Sequence, residues 1–414
     1  MKILILTQYF PPEMGAPPAR LFELAMRLRD RGHQVTVLTA MPNRPQGRIY
    51  NGYRGRLRMT EDMDGIRVVR VWLKTTHSTA SIRRMMTDFS FTLDSVLLGA
   101  WKLPRQDVLI YQSPSLLTGL AARALSLKTR AKTVMWAGDI WPGVLVEAGQ
   151  LKRGMASKFF YWLEKYDYRH AALVAVTNPG AIRQVHDRYP DVPMTVWSNG
   201  VDTSFFRPEL RSQAVRDSFG VGPDQFMLGY IGLHGRFQGL DAVLGAAERL
   251  RDRPEIRFVM IGEGVEKPRL VRAVQERGLT NVSFHDPRPK KEIPPILASC
   301  DASLVPLLTR MPGTMPSKVY EGLASGVPIV VSRGCEAESL VEQHDAGRAF
   351  EPMDESDLAE KISELVDLPI DQREKMRRRC VELAGRFDRD VLAERTHQTL
   401  VALKEGRELP PIQW

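Results

Sequence analysis

Residues Lys2–Thr7 read KILILT, and the chain continues QYFPPEMGAPPARLFELAMRLRDRGHQVTVL to Leu38. The first six are a short apolar run with β-branched members, as in a buried strand. Pro11–Pro18 is a Pro/Gly loop. From Ala19 the apolar residues Leu21, Leu24, Ala25 and Leu28 fall at helical spacing, and Gly32 stands where a C-cap glycine belongs. Val35–Leu38 is the next strand. A strand–helix–strand unit this short calls for parallel strands and a right-handed crossover.

The alternation carries on from there. Strands are expected at Arg67–Trp72, Val108–Tyr111, Thr133–Trp136 and Leu173–Thr177, most of them separated by helical stretches. Near Asn199 the pattern restarts. Met227–Ile231, Arg257–Ile261, Val282–Phe284, Ala302–Pro306 and Pro328–Val331 read as strands, with helices at Leu240–Leu250 and Lys267–Arg277. Val391–Lys404 is a last helix before an extended tail. The predicted fold is α/β, with two Rossmann-like doubly wound domains facing across a cleft. The expected domains are 1–195 and 196–390, and 391–414 is a helix and tail returning to the first.

Composition narrows the class. With 414 residues, 43% hydrophobic and 26% charged, the chain is globular and long enough for two domains. Cys300, Cys335 and Cys380 have no metal-ligand spacing, and their odd number fits a reducing compartment. The N-terminus lacks the features of a signal peptide. The most apolar stretch, Phe89–Trp101, is interrupted by Asp94 and too short to span a bilayer. A cytoplasmic location is therefore expected. The eight histidines form no metal cluster, so no metal and no cofactor are expected, and His33, after Gly32, is expected at the surface. Charge is uneven: residues 1–195 hold 28 Lys and Arg against 15 Asp and Glu, and the remainder 30 against 34. The first half is then either a solvated basic surface or one that meets an anion. Nucleic acid is set aside, because no nucleic-acid-binding motif is present.

The densest chemistry lies in GTMPSKVYEGLASGVPIVVS, Gly313–Ser332. Pro316 and Ser317 open a helix, with Ser317 expected as N-cap, and Gly326 closes it. The loop Gly313–Ser317, including Thr314, thus presents backbone N–H groups at a helix N-terminus, an anion site. Lys318 in the first turn opposes the helix dipole, which makes sense beside an anion. Glu321, three residues on, shares its face and is placed to accept ribose hydroxyls. An ordinary Lys–Glu surface pair is the alternative.

These residues, with PPEMGAPPAR, RGHQVTVLT (Arg31–Thr39), DIWPG (Asp139–Gly143), SNGVDTSFFRP (Ser198–Pro208), GYIGLHGRFQGLD (Gly229–Asp241) and VMIGEG (Val259–Gly264), resemble glycosyltransferase family 4 of the GT-B fold. The branch is that of bacterial O-antigen and capsule transferases. The resemblance spans nearly the whole chain. It implies a retaining, metal-independent transferase in surface polysaccharide synthesis, such as that of lipopolysaccharide. It also implies an acceptor-binding first domain and a second domain that binds a nucleotide-sugar donor. UDP is expected from family frequency, with a carbohydrate or lipid-linked acceptor. Glu321 matches the second glutamate of the family's E-x7-E motif; the first would fall at Gly313. Leu233 and Gln238 stand where many members carry phosphate-binding Arg and Lys. Lys318, helped by Arg236, is then the expected cation, with backbone amides or a solvated Arg236 as alternatives.

Pro287, within HDPRPK (His285–Lys290), falls in the base-recognition segment by resemblance. Gly262 and Gly264 allow close approach to the donor, or form only a tight turn. Gly15 matches the family's glycine-rich loop facing the donor phosphates, or is simply good helix-start geometry. Asp139 is the candidate base or hydroxyl-binding residue, or else an N-cap, and Trp141 is placed to stack on a sugar. Lys318 is expected to be the electrostatic catalyst of the leaving diphosphate. Ser81–Trp101, with Arg83, Arg84, Met85, Met86, Phe89 and Leu93, suits either an anionic membrane surface or a helix packed on the sheet. A nucleotide-sugar 2-epimerase of the same fold and an inactive nucleotide-sugar-binding scaffold are the rival functions. A dehydrogenase is disfavoured, since no G-x-G-x-x-G follows the first strand.

Overall fold

The computed structural model describes residues 1–76, 81–113, 116–138, 140 and 154–414. The chain divides into two units, Met1–Ser198 with Ala393–Trp414, and Asn199–Leu392.

In unit one the strands are β1 (Lys2–Leu6), β2 (Gln34–Ala40), β3 (Arg58–Met63), β4 (Ile66–Val71), β5 (Val108–Ser113), β6 (Lys132–Ala137), β7 (Leu173–Val176) and β8 (Met194–Val196). They form one sheet in the order β3-β4-β2-β1-β5-β6-β7-β8, parallel except for β3. Strand β1 lies between β2 and β5, with Ile3 opposite Val35 and Val108. Its alternation decides which face each residue serves. Leu4 and Leu6 enter a core shared with α2 (Ser81–Asp94), α3 (Leu117–Thr129), α4 (Met155–His170) and α5 (Pro179–His186). Ile3 and Ile5 enter the opposite core with Leu21, Leu24, Ala25 and Leu28 of α1 (Ala16–Asp30). Each fully buried leucine contributes about 1.5–3 kcal/mol.

Strands β3 and β8 were not expected from sequence. RMTEDM of β3 has no apolar alternation because it is an edge strand. It is joined to β4 through Asp64 and Gly65, both at positive φ. Arg70 of β4 is fully buried; it pairs with Glu61 of β3 and donates to the carbonyls of Ala40 and Pro11, tethering the loop after β1.

Unit two carries β9 (Phe226–Ile231), β10 (Ile256–Ile261), β11 (Val282–His285), β12 (Ala302–Val305), β13 (Ile329–Ser332) and β14 (Gly347–Phe350), ordered β11-β10-β9-β12-β13-β14 and all parallel. Its longer helices are α6 (Leu240–Arg249), α7 (Lys267–Glu276), α8 (Ser317–Ala324), α9 (Glu336–Gln343), α10 (Glu355–Val366) and α11 (Ile370–Gly385). Strand order reverses between β9 and β12, the switch point at which open α/β sheets bind ligands. Strand β14, also not expected, starts at Gly347, where a Cβ would strike the Ile329 backbone.

The last helix, α12 (Arg389–Glu405), begins in unit two and continues in unit one. Ala393 and Leu400 join the core of Ile3 and Ile5, and Glu394 pairs with Arg31 at 2.9 Å. His33, expected at the surface, is instead buried, with Nε2 2.7 Å from Nδ1 of His397. Burial, then the neighbouring N-terminal amine, pushes its pKa down to about 4. The correction has a simple cause: the residue after the C-cap glycine turns under the returning helix.

Candidate functional site

Helix α8 leaves the switch-point side of unit two. Pro316, not Ser317, holds the N-cap position, at φ −63° and ψ 127°, and Ser317 is the first helical residue. Proline fixes the extended entry and makes no side-chain cap hydrogen bond to the first turn. The helix closes at Gly326, φ 66°, where Val327 N–H returns to the Gly322 carbonyl at 2.9 Å. Val319, Tyr320 and Leu323 are buried, which leaves Lys318 and Glu321 together on the half-buried face.

The Lys318 ammonium lies 3.9 Å from the centroid of the Tyr230 ring on β9. It passes directly under the loop that follows β9. A Cβ on Gly232 would sit 2.5 Å from Lys318 Cε and 2.6 Å from Nζ, and its φ of 149° is a conformation that strains any side chain. A Cβ on Gly262 would strike the Gly232 carbonyl, and one on Gly264 the His234 carbonyl. The loops after β9 and β10 therefore lie backbone against backbone, joined by Gly232 N–H to Ile261 and His234 N–H to Glu263, each 2.9 Å. Gly262 and Gly264 are needed for this approach, whatever else they do.

Electrostatics mark the same spot. Among the described residues Lys318 makes no ion pair; its stabilising neighbour is a ring face. Burial pushes its pKa down from 10.5 to about 8, and Glu321 only partly opposes this. Burial also raises the Glu321 carboxyl, against the pull of Lys318, Arg389 and Lys290. Both groups are thus held in a half-dry place where neither is fully compensated.

Sequence reasoning missed two residues here. His234 is fully buried, stacked on Tyr230 with centroids 5.4 Å apart and edge-on to Phe284. Among the described residues neither ring nitrogen has a hydrogen-bond partner, and burial, then Lys267 and Lys318, pushes its pKa down to about 4. A neutral imidazole wedged behind Lys318 leaves no signal in GLHG beyond the histidine itself. Glu13, in the loop after β1, is buried and accepts N–H groups from Phe10, Asn43 and Arg44. It shapes the loop that ends at Gly15, the cap of α1 at φ 138°.

The other expected residues are dispersed. Arg236 is 79% exposed and pairs with Glu266 at 3.8 Å. Thr314, in the loop before α8, accepts the Glu336 N–H at 3.0 Å through its carbonyl. Pro287 is exposed just after β11. Gly313, where the family places a glutamate, is at φ 73°, a conformation in which a side chain is strained. Asp139 and Trp141 lie outside the described residues.

A strand-order switch, with a glycine-lined lysine and a carboxylate three residues apart on the helix that starts there, stands where open α/β sheets bind their ligands. A family model for glycosyl transferases group 1 matches residues 212–384, and one for a glycosyl transferase 4-like domain matches residues 15–200. Together they cover most of both units, and the chain belongs to glycosyltransferase family 4 of the GT-B fold. The Escherichia coli K12 protein WcaI, named for glycosyl transfer in colanic acid biosynthesis, is 26% identical over 340 residues, 80% of this chain and 83% of that protein. Among solved structures, sucrose-phosphate synthase from Thermosynechococcus elongatus superposes with a TM-score of 0.75 at 16% identity, covering 98% of this chain and 99% of that one. Anabaena HepE, solved with UDP, superposes with a TM-score of 0.71 at 19% identity, covering 97% of this chain and 100% of that one.

Proposed function

We propose that the protein is a retaining glycosyltransferase that moves a sugar from a UDP-sugar to a carbohydrate acceptor, lipid-linked, in surface polysaccharide synthesis. One observation carries the donor reading: the ammonium of Lys318 is half-buried at the switch point without an ion-pair partner among the described residues, one helical turn from Glu321. A diphosphate is the anion that such a lysine lacks, and a ribose is what the carboxylate beside it accepts. The UDP held by HepE supports the nucleotide, and the name of WcaI supports the polysaccharide.

In this reaction Gly232, Gly262 and Gly264 let the donor diphosphate approach the backbone, and Glu321 holds the ribose. Pro287 and its neighbours line the base. Charge developing on the leaving diphosphate is met by Lys318 and the N-terminal amides of α8, near Thr314, Pro316 and Ser317. This charge supply needs no divalent cation. Gly15 meets the phosphates, Asp139 orients the acceptor hydroxyl, Trp141 stacks on its ring, and Arg236 assists from the loop after β9. The test is a mass-spectrometric screen of nucleotide sugars with lipid-linked acceptors. Transfer from a UDP-sugar, with retained anomeric configuration and in the presence of EDTA, is the expected outcome. Donor conversion without acceptor, or no turnover with any donor, refutes the proposal.

A further inference from the structure

A cavity of about 560 Å³ opens in unit two at the end of the sheet opposite the switch-point loops. Its lining takes Phe226, Asp301 and Pro328, at the N-terminal ends of β9, β12 and β13. Gly232, with Lys318 beneath it, follows the C-terminal end of β9. The end of α10 and the first turns of α11 form a wall, and Arg211 enters from the chain before β9. Pockets for small molecules run from about 300 to 1,000 Å³, so the space suits such a ligand. No step of the proposed transfer uses it.

Its arginines are unevenly compensated. Arg211 donates to the Cys300 carbonyl at 3.0 Å and to Asp301 at 2.6 Å. Arg216 donates to the other oxygen of Asp301 at 2.8 Å, and Arg377 reaches the same Cys300 carbonyl at 3.4 Å. Three guanidinium groups thus gather around one carboxylate. Burial, then the charge of Arg211, lowers the Arg377 pKa, and Asp301 and Glu374 only partly oppose this. Like charges sharing one acceptor in a half-buried place cost free energy until an anion joins them. Arg373, one turn earlier on α11, is held by the carbonyls of Leu368 and Val366 at 2.9 and 3.1 Å. Its guanidinium lies 5.7 Å from the Phe226 centroid. Among the described residues neither Arg373 nor Arg377 makes an ion pair. The other lining charges do not fill that role: Arg253 is closed off by Glu255 and Asp367, and Asp224 and Glu374 are exposed.

A guanidinium presents its donors as a planar fork that matches an oxyanion. One such fork satisfies a carboxylate. Arg211, Arg373 and Arg377 come from a loop and from two successive helical turns, so the anion that meets all three carries more oxygens and more charge, as a phosphate does. A phosphate fills only part of the space, and Leu368 and Ile370 leave an apolar side for an organic group. We propose that this cavity binds a phosphorylated small molecule, with its phosphate held by Arg211, Arg373 and Arg377. The site is independent of the donor reading.

The test is calorimetry of the full chain with ribose 5-phosphate and with pyrophosphate, on wild type and on Lys318→Met, so that binding beside α8 is told apart. One equivalent of a phosphate probe binds Lys318→Met, and ribose alone does not. Arg373→Gln with Arg377→Gln lowers that affinity about 100-fold, at about tenfold for each charged hydrogen bond lost, and leaves UDP affinity unchanged. Because Arg373 also holds two carbonyls, a second readout uses the wild-type chain. Phenylglyoxal labelling mapped by mass spectrometry shows Arg373 and Arg377 protected by the probe, and the exposed Arg378 of the same helix not protected. Binding of neither probe to Lys318→Met at millimolar concentration overturns the proposal. So does binding indifferent to the arginine changes, equal protection of Arg378, or tighter binding of citrate than of either phosphate.

Discussion

Replacing Lys318 by methionine keeps the buried stem and removes the cation. In the unliganded protein, burial has moved this lysine from 10.5 to about 8. A diphosphate that restores its ordinary value gains about 3 kcal/mol from the charged over the neutral form, at about 1.4 kcal/mol per pH unit. That corresponds to about 300-fold in affinity, the ceiling on the loss of UDP binding in Lys318→Met at pH 7. The pH dependence has a definite sign. In the free protein the lysine is protonated below about 8 and neutral above it, whereas the complex retains its proton. UDP binding therefore takes up almost no proton at pH 7 and close to one at pH 9, and affinity falls about tenfold across that range. Titration calorimetry in buffers of different ionisation enthalpy reads both quantities, and Lys318→Met supplies the background from the nucleotide's own titration. The lowered pKa also opposes folding of the unliganded protein below about 8, a cost relieved as pH rises toward 10.5. The variant should thus melt higher while binding worse. UDP affinity within threefold of wild type at pH 7, together with an unchanged proton uptake at pH 9, would refute the assignment of the diphosphate to Lys318.

Four further outcomes are expected. Glu321→Gln weakens UDP about 10- to 100-fold, as loss of hydrogen bonds to a charged acceptor should, but changes 2′-deoxy-UDP much less; calorimetry with the two ligands distinguishes a ribose contact from a general disturbance. Gly232→Ala forces a Cβ to within 2.5 Å of Lys318 Cε at φ 149° and should cost about 1–3 kcal/mol in urea unfolding as well as weakening UDP. Arg70→Leu strands Glu61 and the Ala40 and Pro11 carbonyls, and should lower the stability of unit one by about 3–5 kcal/mol in chemical denaturation. Asp167 is buried with neither oxygen hydrogen-bonded among the described residues, and burial raises its pKa from 3.8 to about 8. Its folded form therefore holds a proton that the unfolded chain releases, and unit one loses on the order of 5 kcal/mol as pH rises through that window. Asp167→Asn should flatten that slope in melting curves measured from pH 4 to pH 8.

The parallel core was legible because its strands are buried on both faces and read as continuous apolar runs. KILIL and RFVMI could be placed within a residue or two. Strand β3 was not legible, since an edge strand of RMTEDM needs no apolar alternation, and β8 has only three residues. At the site, Lys318 and Glu321 were legible because their spacing on a helix forces a common face. His234 was not: its burial depends on Gly264 and Phe284, which reach it only through the tertiary fold. Ser317 was misread as the cap because serine is the better capping side chain, yet the adjacent proline already sets the entry angle. Glu13 was overlooked for a similar reason, since two of its three backbone donors come from the turn after β2, about 30 positions away in the chain.

The return of α12 to unit one also bears on biosynthesis. The first half of the chain leaves the ribosome early, but the layer holding Ile3 and Ile5 lacks Ala393 and Leu400 until α12 emerges. The half made first is thus the half finished last, after Asn199–Leu392 has had time to fold. During that interval an uncovered apolar face is open to chaperones. A fragment ending at Ser198 lacks Ala393 and Leu400, and the part of that face which they cover stays open to solvent.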